Sequence, residues 1–157
     1  MSDQTATISA SELAAENREH AEAVLQLLGS EEQFEYYHED VVMEFPYARP
    51  GMPTRVEGKA AVLTHLVKVG GDVSVDSASN LVVHETADPE VVILEFDGHG
   101  RSVRTGEPYE QRYISVIRAR GGKMVHFKDY WNPIQGLKAQ LGAAVVDAFI
   151  LNGPAQA

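Results

Sequence analysis

The sequence predicts an α+β domain in which helices pack on one face of a curved antiparallel sheet. Up to about residue 69, the chain shows three helical segments, interrupted by one short strand and a proline-rich loop. Four runs rich in β-branched and aromatic residues follow, at roughly 72–86, 90–99, 109–119 and 123–131. A final helix is expected from about 135 to 151. Helices followed by a strand meander are typical of α+β domains, and a curved sheet closed on one side by helices encloses a cavity for small molecules.

A capping box marks the first helix. Ser9 and Glu12 have the Ser-x-x-Glu spacing that begins a helix, and Gly29 is expected to end it. Apolar residues recur at helical spacing between these points: Leu13, Ala21, Val24, Leu25 and Leu28.

A short second helix and a strand complete the first half of the chain. Ser30 and Gln33 repeat the capping pattern, with Tyr37 on the apolar side of the helix. Residues 41–45 predict a strand. The following loop, 46–53, contains too many prolines for regular structure.

Length and composition predict one soluble domain, 1–157, with flexible tails at 1–8 and 152–157. No apolar stretch approaches the ~20 residues that span a bilayer, and the first residues lack a signal-peptide layout. We therefore expect a cytoplasmic protein without a membrane segment. The formal net charge of −10 disfavours nucleic acid and anionic membrane surfaces, since both require a basic footprint.

The strand predicted over 123–131 carries the most informative carboxylate. Side chains alternate along a strand, so Asp129 shares a face with Val125, Phe127 and Trp131. A carboxyl group among apolar and aromatic side chains is costly to bury in its charged form, so its pKa should rise towards the range useful for acid–base catalysis. The structural alternatives are a solvated Asp at a fraying strand end or a cap on the next turn.

His65 is the second candidate. It lies on the apolar face of the helix predicted over 59–69, with Val62, Leu66 and Val69. If that helix covers the face that carries Asp129, the two side chains could share proton transfer near neutral pH. The alternative is a core histidine with its hydrogen bonds satisfied.

Further acidic residues could adjust the pKa values of the same pocket. Glu95 and Asp97 share one strand face, and Glu44 alternates with apolar neighbours on an earlier strand. Arg112 is a candidate counter-charge for these acids or for a substrate carboxylate. The alternatives are a strand that leaves the core for the polar loop and an arginine on the surface.

Other candidates would contact the substrate. Tyr47 and Met52 on the proline-rich loop could form a lid, whereas Phe127 and Trp131 either contact the substrate or fill the core, with Trp131 at the cavity mouth.

The sequence contains no phosphate-binding glycine loop, so a nucleotide cofactor is not expected. No metal site is expected from the histidine spacing, and no G-x-S-x-G hydrolase elbow is present.

Three segments, 37–46, 56–62 and 122–133, resemble the SnoaL-like branch of the NTF2-like superfamily. Within that branch, the segments 85–89, 95–100 and 131–137 resemble the phenazine-biosynthesis A/B proteins. The resemblance implies a cone-shaped α+β barrel, a homodimer joined through the sheets and a cavity that works without a cofactor.

The resemblance also implies roles for individual residues. Asp129 takes the place of the catalytic carboxylate on the last strand, which is a Glu in the phenazine A/B proteins, and His65 takes the place of their functional His. Val69 stands where those proteins carry a Ser, so the phenazine substrate does not transfer directly. Ketosteroid isomerases carry a general-base Asp where this chain has Phe45. Limonene-epoxide hydrolases use two acids, matched by Asp97 and Asp129, and an Arg where this chain has Glu95.

These observations give one main hypothesis and two alternatives. The main hypothesis is a cofactor-independent enzyme of secondary metabolism that acts on a hydrophobic cyclic or polyketide-like molecule, as an isomerase, cyclase, dehydratase or condensation catalyst. Asp129 would be the general acid/base, and His65 would orient it or relay the proton. The alternatives are a non-catalytic ligand-binding module and a limonene-type epoxide hydrolase.

Overall fold

The computed structural model describes residues 8–27 and 30–153. Its helices are α1 (Ala10–Gln26), α2 (Lys59–Asp72), α3 (Pro133–Leu141) and α4 (Ala143–Asn152), with a 3₁₀ helix over Glu31–Tyr36. Its strands are β1 (Tyr37–Glu44), β2 (Arg55–Glu57), β3 (Val73–Glu85), β4 (Val91–Ser102), β5 (Pro108–Arg120) and β6 (Lys123–Trp131). The predicted tails, 1–8 and 152–157, lie outside the described residues except for Ile8, Asn152 and Gly153, and Asn152 still belongs to α4. The predicted helix end at Gly29 also lies outside them.

The strands form one curved six-stranded sheet in the order β2-β1-β6-β5-β4-β3. The sheet is open, because its edge strands β2 and β3 are not paired with each other. Most neighbouring strands are antiparallel, as predicted, but β1 runs parallel to β6. A helix and four other strands separate these two strands in sequence, so no local pattern signals the pairing.

The two faces of the sheet differ in chemistry. The inner face, which carries Phe96, Ser115 and Phe127, packs against the helices and forms the core. The outer face carries the alternating residues, such as Glu95 and Lys128. Helices contribute further core residues on the inner side: Ala21, Val24, Leu25 and Val62. The α+β architecture with helices on one face of the sheet is therefore confirmed.

The first helix begins as its sequence predicts. Ser9 Oγ accepts a hydrogen bond from the Glu12 amide at 3.3 Å, and the Ser9 amide donates to Glu12 Oε2 at 2.9 Å. This is the reciprocal capping box. Among the described residues, no helix is both long and apolar enough to cross a bilayer.

Several element boundaries differ from the prediction. Tyr37 belongs to β1 rather than to the second helix, because its side chain is buried in the core. The C-terminal helix is divided at Gly142, whose φ of +92° ends α3 in a conformation that glycine adopts readily. The helix α2 continues through Gly70 and Gly71 to Asp72. The strand β2, with three residues, is too short to show an alternating pattern.

Candidate functional site

A cavity of about 490 Å³ lies between the inner face of the sheet and the helices α2 and α3. This volume falls within the range of small-molecule sites. The loop that follows β1 and the beginning of β3 complete its walls. Much of the lining is apolar, with contributions from Phe34, Met43, Phe45, Leu66 and Phe96.

Asp129 lies in the wall of this cavity, on the inner face of β6. It pairs in register with Ser115 of β5, whose Oγ donates a hydrogen bond to Asp129 Oδ1 at 3.1 Å. Among the described residues, no cationic side chain forms an ion pair with this carboxyl group. Burial raises the pKa of Asp129 to about 7, although the hydrogen bond from Ser115 acts in the opposite direction. The group can therefore exchange a proton near neutral pH.

Three phenol groups share the cavity wall with this carboxyl group: Tyr37, Tyr109 and Tyr113. Burial raises the pKa of each phenol, and the negative charge of Asp129 raises it further. All three therefore remain protonated at neutral pH and can donate hydrogen bonds. Tyr109 Oη and Tyr113 Oη are 3.3 Å apart, and Gln111 Nε2 donates to Tyr109 Oη at 3.1 Å.

His65 faces the same cavity from α2. Its ring packs against Phe45 with the ring centroids 4.7 Å apart. Burial lowers the pKa of His65, and the positive charge of Lys68 lowers it further, so the imidazole is neutral at pH 7. Within the described residues, no hydrogen bond joins His65 to Asp129, so the structure provides no direct contact through which His65 could orient the carboxyl group.

Three further predicted residues, Met52, Phe127 and Trp131, line the cavity. Tyr47 does not, and its prediction as a lid over the cavity is wrong. Its ring packs edge-on against Tyr130, with centroids 5.5 Å apart, and it is largely exposed. Tyr130 lies on the outer face of β6, so this contact holds Tyr47 on the far side of the sheet.

The acids Glu44, Glu95 and Asp97 lie on the outer face, so the prediction that they adjust the pocket is wrong. On β4 the larger apolar side chains, Leu94 and Phe96, are buried in the core, which turns the alternating acids outwards. Each acid has a basic partner there, at distances between 2.7 and 2.9 Å. These partners are Arg55 for Glu44, His84 for Glu95 and Arg112 for Asp97.

Arg112 therefore lies on the outer face as well and cannot contact a ligand in the cavity. Its hydrogen bond to Asp97, with a second one from Asn80, lowers the pKa of Asp97. Asp97 and Asp129 are on opposite faces of the sheet and cannot hold one water molecule between them. The acid pair of a limonene-type epoxide hydrolase is therefore not formed.

Four polar residues of this site are not among those predicted from the sequence: Ser115, Tyr109, Tyr113 and Arg49. The first three alternate along β5, and that spacing was an available signal for a polar patch on one strand face. Arg49 lies in the proline-rich loop, where no periodicity indicates the direction of a side chain.

Across the described ranges, no three His, Asp or Glu side chains cluster as a metal site would require.

Comparison with known proteins agrees with this fold. The model of the SnoaL-like domain family matches residues 13–127. An uncharacterised Bacillus subtilis protein, YesE, is 43% identical over 100 residues, which cover 64% of this chain and 68% of the relative. An uncharacterised PhzA/B-like protein of Pseudomonas aeruginosa is 38% identical over 117 residues, which cover 74% of this chain and 82% of the relative.

The same relationship extends to solved structures. A phenazine biosynthesis-related protein of Pseudomonas aeruginosa superposes with a TM-score of 0.72 at 27% identity, covering 83% of this chain and 88% of that protein. The resemblance to the SnoaL-like group and to the phenazine A/B proteins is thus confirmed. The family match covers most of the sheet and the first three helical segments. The chain belongs to the SnoaL-like domain family.

Proposed function

We propose that this chain is a cofactor-independent enzyme that transfers protons on a hydrophobic cyclic or polyketide-like molecule. The reaction would be an isomerisation, cyclisation, dehydration or condensation. The observation that carries the proposal is Asp129, a carboxyl group in the cavity wall whose pKa burial raises to about 7. A general acid or base is most effective when its pKa is close to the working pH.

The described side chains supply the groups that such a reaction needs. Ionised Asp129 would remove a proton from a carbon next to a carbonyl group and return it to another position. Negative charge develops on the carbonyl oxygen in that step, and a phenol donor can stabilise it. Tyr109 and Tyr113 lie in the same wall and keep their protons at neutral pH.

His65 would act on the substrate rather than on Asp129. Its lowered pKa keeps the imidazole neutral, so one ring nitrogen can accept and the other can donate a hydrogen bond. Since the ring also packs against Phe45, its orientation is partly fixed by the core. In this proposal His65 relays a proton between the bound molecule and solvent.

Two relatives carry names that refer to phenazine biosynthesis or to PhzA/B, which supports a small cyclic molecule as the substrate class. A homodimer joined through the sheets and a cytoplasmic location remain predictions. Light scattering coupled to gel filtration tests the first of them.

The test measures proton abstraction with a probe molecule, β-tetralone, whose acidic carbon–hydrogen bonds exchange slowly in heavy water. Proton NMR follows the loss of these signals with and without protein, across the pH range around 7. We expect the wild-type chain to accelerate exchange and Asp129→Asn to abolish the acceleration. The matched control is Asp97→Asn, the same change on the outer face, which should exchange at the wild-type rate.

His65→Phe separates its proposed role from its packing, since phenylalanine retains the ring that contacts Phe45. We expect this variant to remain folded but to accelerate exchange less than the wild type does. Equal acceleration by wild-type protein and Asp129→Asn would overturn the proposal. Binding of the probe without any acceleration would instead favour the non-catalytic ligand-binding module.

A further inference from the structure

Arg49 carries hydrogen-bond donors that no described residue uses. Its Nη2 donates to Gln140 Oε1 of α3 at 2.9 Å, and its side chain lines the cavity. Its Nε is the one buried side-chain nitrogen or oxygen, over residues 8–27 and 30–153, that lacks a hydrogen-bond partner. A guanidinium group has five N–H donors and no acceptor, so Arg49 has donors left to bind oxygen atoms of a ligand.

The charges of the chain set Arg49 apart from its other arginines. The chain has 23 acidic and 13 basic residues, so potential partners outnumber the cations. On the outer face, Arg112 and Arg118 both form ion pairs with carboxylates. Arg49 forms none with any described residue, and it is the sole Lys or Arg in the described lining of the cavity. Arg49 is half-buried with its Nε enclosed, so a ligand anion that enters the cavity meets a cation that no described carboxylate pairs with.

The position of Arg49 connects it to the acid–base site. Its positive charge lowers the pKa of Tyr109, and the charge of Asp129 raises it, so both groups lie near this phenol. This phenol is held in place by Gln111, which donates to Tyr109 Oη at 3.1 Å and to the Asn132 carbonyl at 3.0 Å. One bound molecule could therefore contact both Arg49 and Asp129.

We propose that Arg49 binds an anionic oxygen group of the ligand and so selects molecules that carry a negative charge at one end. The inference rests on the proposed function in that it concerns the same cavity. The ligand oxygens would contact the uncommitted Nη1 and, after a small rotation of the side chain, the enclosed Nε. The apolar part of the ligand would then lie against Phe127 and Trp131, next to Asp129.

Calorimetric titration with a matched pair of probes tests the proposal. The probes β-naphthoate and β-naphthamide have nearly the same shape and differ in charge. We expect wild-type protein to bind the carboxylate roughly 10- to 100-fold more tightly, the range that corresponds to a hydrogen-bonded charge pair. Arg49→Met should remove this preference and Arg49→Lys should weaken it, whereas Arg104→Met, on an exposed turn, should leave it unchanged.

A third probe, phenindione, is an enolate at neutral pH and distinguishes the source of the anionic oxygen. Tighter binding of phenindione than of β-naphthoate, dependent on Arg49, would assign the subsite to enolates, and the reverse order to carboxylates. Equal affinity of wild-type protein for β-naphthoate and β-naphthamide would overturn the proposal, as would a preference that survives in Arg49→Met.

The preference for an anionic probe can be measured independently of catalysis. Asp129→Asn should retain the preference for the anionic probe, because the change does not remove the guanidinium group. A lost charge preference together with Asp129-dependent exchange of β-tetralone would overturn the assignment of Arg49 and leave the proposed function standing. If wild-type protein prefers β-naphthoate but does not accelerate exchange of β-tetralone, the proposed function is overturned and the assignment of Arg49 stands.

Discussion

Burial of Asp129 should make the protein less stable as the pH rises. The pKa of this group is about 7 in the folded protein, against a usual value of 3.8. Between these two pH values the folded state holds a proton that the unfolded state has released. Stability therefore falls with increasing pH over this interval, which is the reverse of the behaviour of a salt-bridged carboxylate.

The magnitude follows from the same two pKa values. Each pKa unit corresponds to 1.36 kcal/mol, so ionising Asp129 in the folded state costs about 4 kcal/mol of unfolding free energy. About 3 kcal/mol of unfolding free energy is lost between pH 5 and pH 8. The full contribution of Asp129 to stability is present below about pH 4, where the group is protonated in both states, and it is lost as the pH rises through 7. Asp129→Asn does not ionise, so its unfolding free energy lacks this dependence.

Urea denaturation of the wild type and of Asp129→Asn, at several pH values between 5 and 8, measures the effect. Fluorescence of Trp131, the single tryptophan, reports unfolding. The stability of the variant relative to the wild type should increase by about 3 kcal/mol from the lower to the higher pH.

Asp97→Asn is the control for this measurement. Its hydrogen bonds, first the one from Arg112, lower the pKa of Asp97. The stability that Asp97 contributes is therefore present above its unfolded pKa and lost only at more acidic pH, so its difference from the wild type should be flat between pH 5 and pH 8. A flat difference for Asp129→Asn as well would refute the assignment of a raised pKa to Asp129.

Three further predictions concern the hydrogen bond to Asp129, the packing of the sheet and a glycine in α2. Ser115→Ala removes the hydrogen bond that lowers the pKa of Asp129, so carbon NMR of carboxyl-labelled aspartate should show a higher pKa than in the wild type. Gly100→Ala would place a Cβ 1.8 Å from the Ser74 carbonyl oxygen, and urea denaturation should show a loss of about 2 kcal/mol or more. Gly70→Ala, in α2 with open space around it, should instead gain about 0.5–1 kcal/mol in the same assay.

Local sequence patterns predict the direction of a side chain where one face of its strand is clearly apolar. On β6, Phe127 and Trp131 alternate with His126 and Lys128, so the direction of Asp129 could be predicted. On β4 both faces carry apolar residues, so alternation alone does not show which face is buried. The larger side chains, Leu94 and Phe96, fill the core. Glu95 and Asp97 therefore lie on the outer face, opposite to the prediction.

Long-range contacts account for the rest of what the sequence did not reveal. The parallel pairing of β1 with β6 brings Met43 beside Phe127, although 84 positions separate them in the chain. Arg49 enters the cavity because its loop packs near α3, where Gln140 accepts its hydrogen bond. Such contacts depend on the tertiary arrangement of elements, which a single sequence does not encode locally.

The contrast between the two faces of the sheet argues against a purely structural role for Asp129. The outer face pairs its acids with arginine, lysine or histidine, so the chain has cations available and uses them there. A serine or asparagine at position 129 could accept the hydrogen bond from Ser115 without the ionisation penalty of about 4 kcal/mol. Asp129 lowers the stability of the protein inside a cavity large enough for a ligand. Such a loss of stability is expected where function requires a reactive group. If both proposals hold, Asp129 and Arg49 are two parts of one site, one that reacts with the ligand and one that selects it.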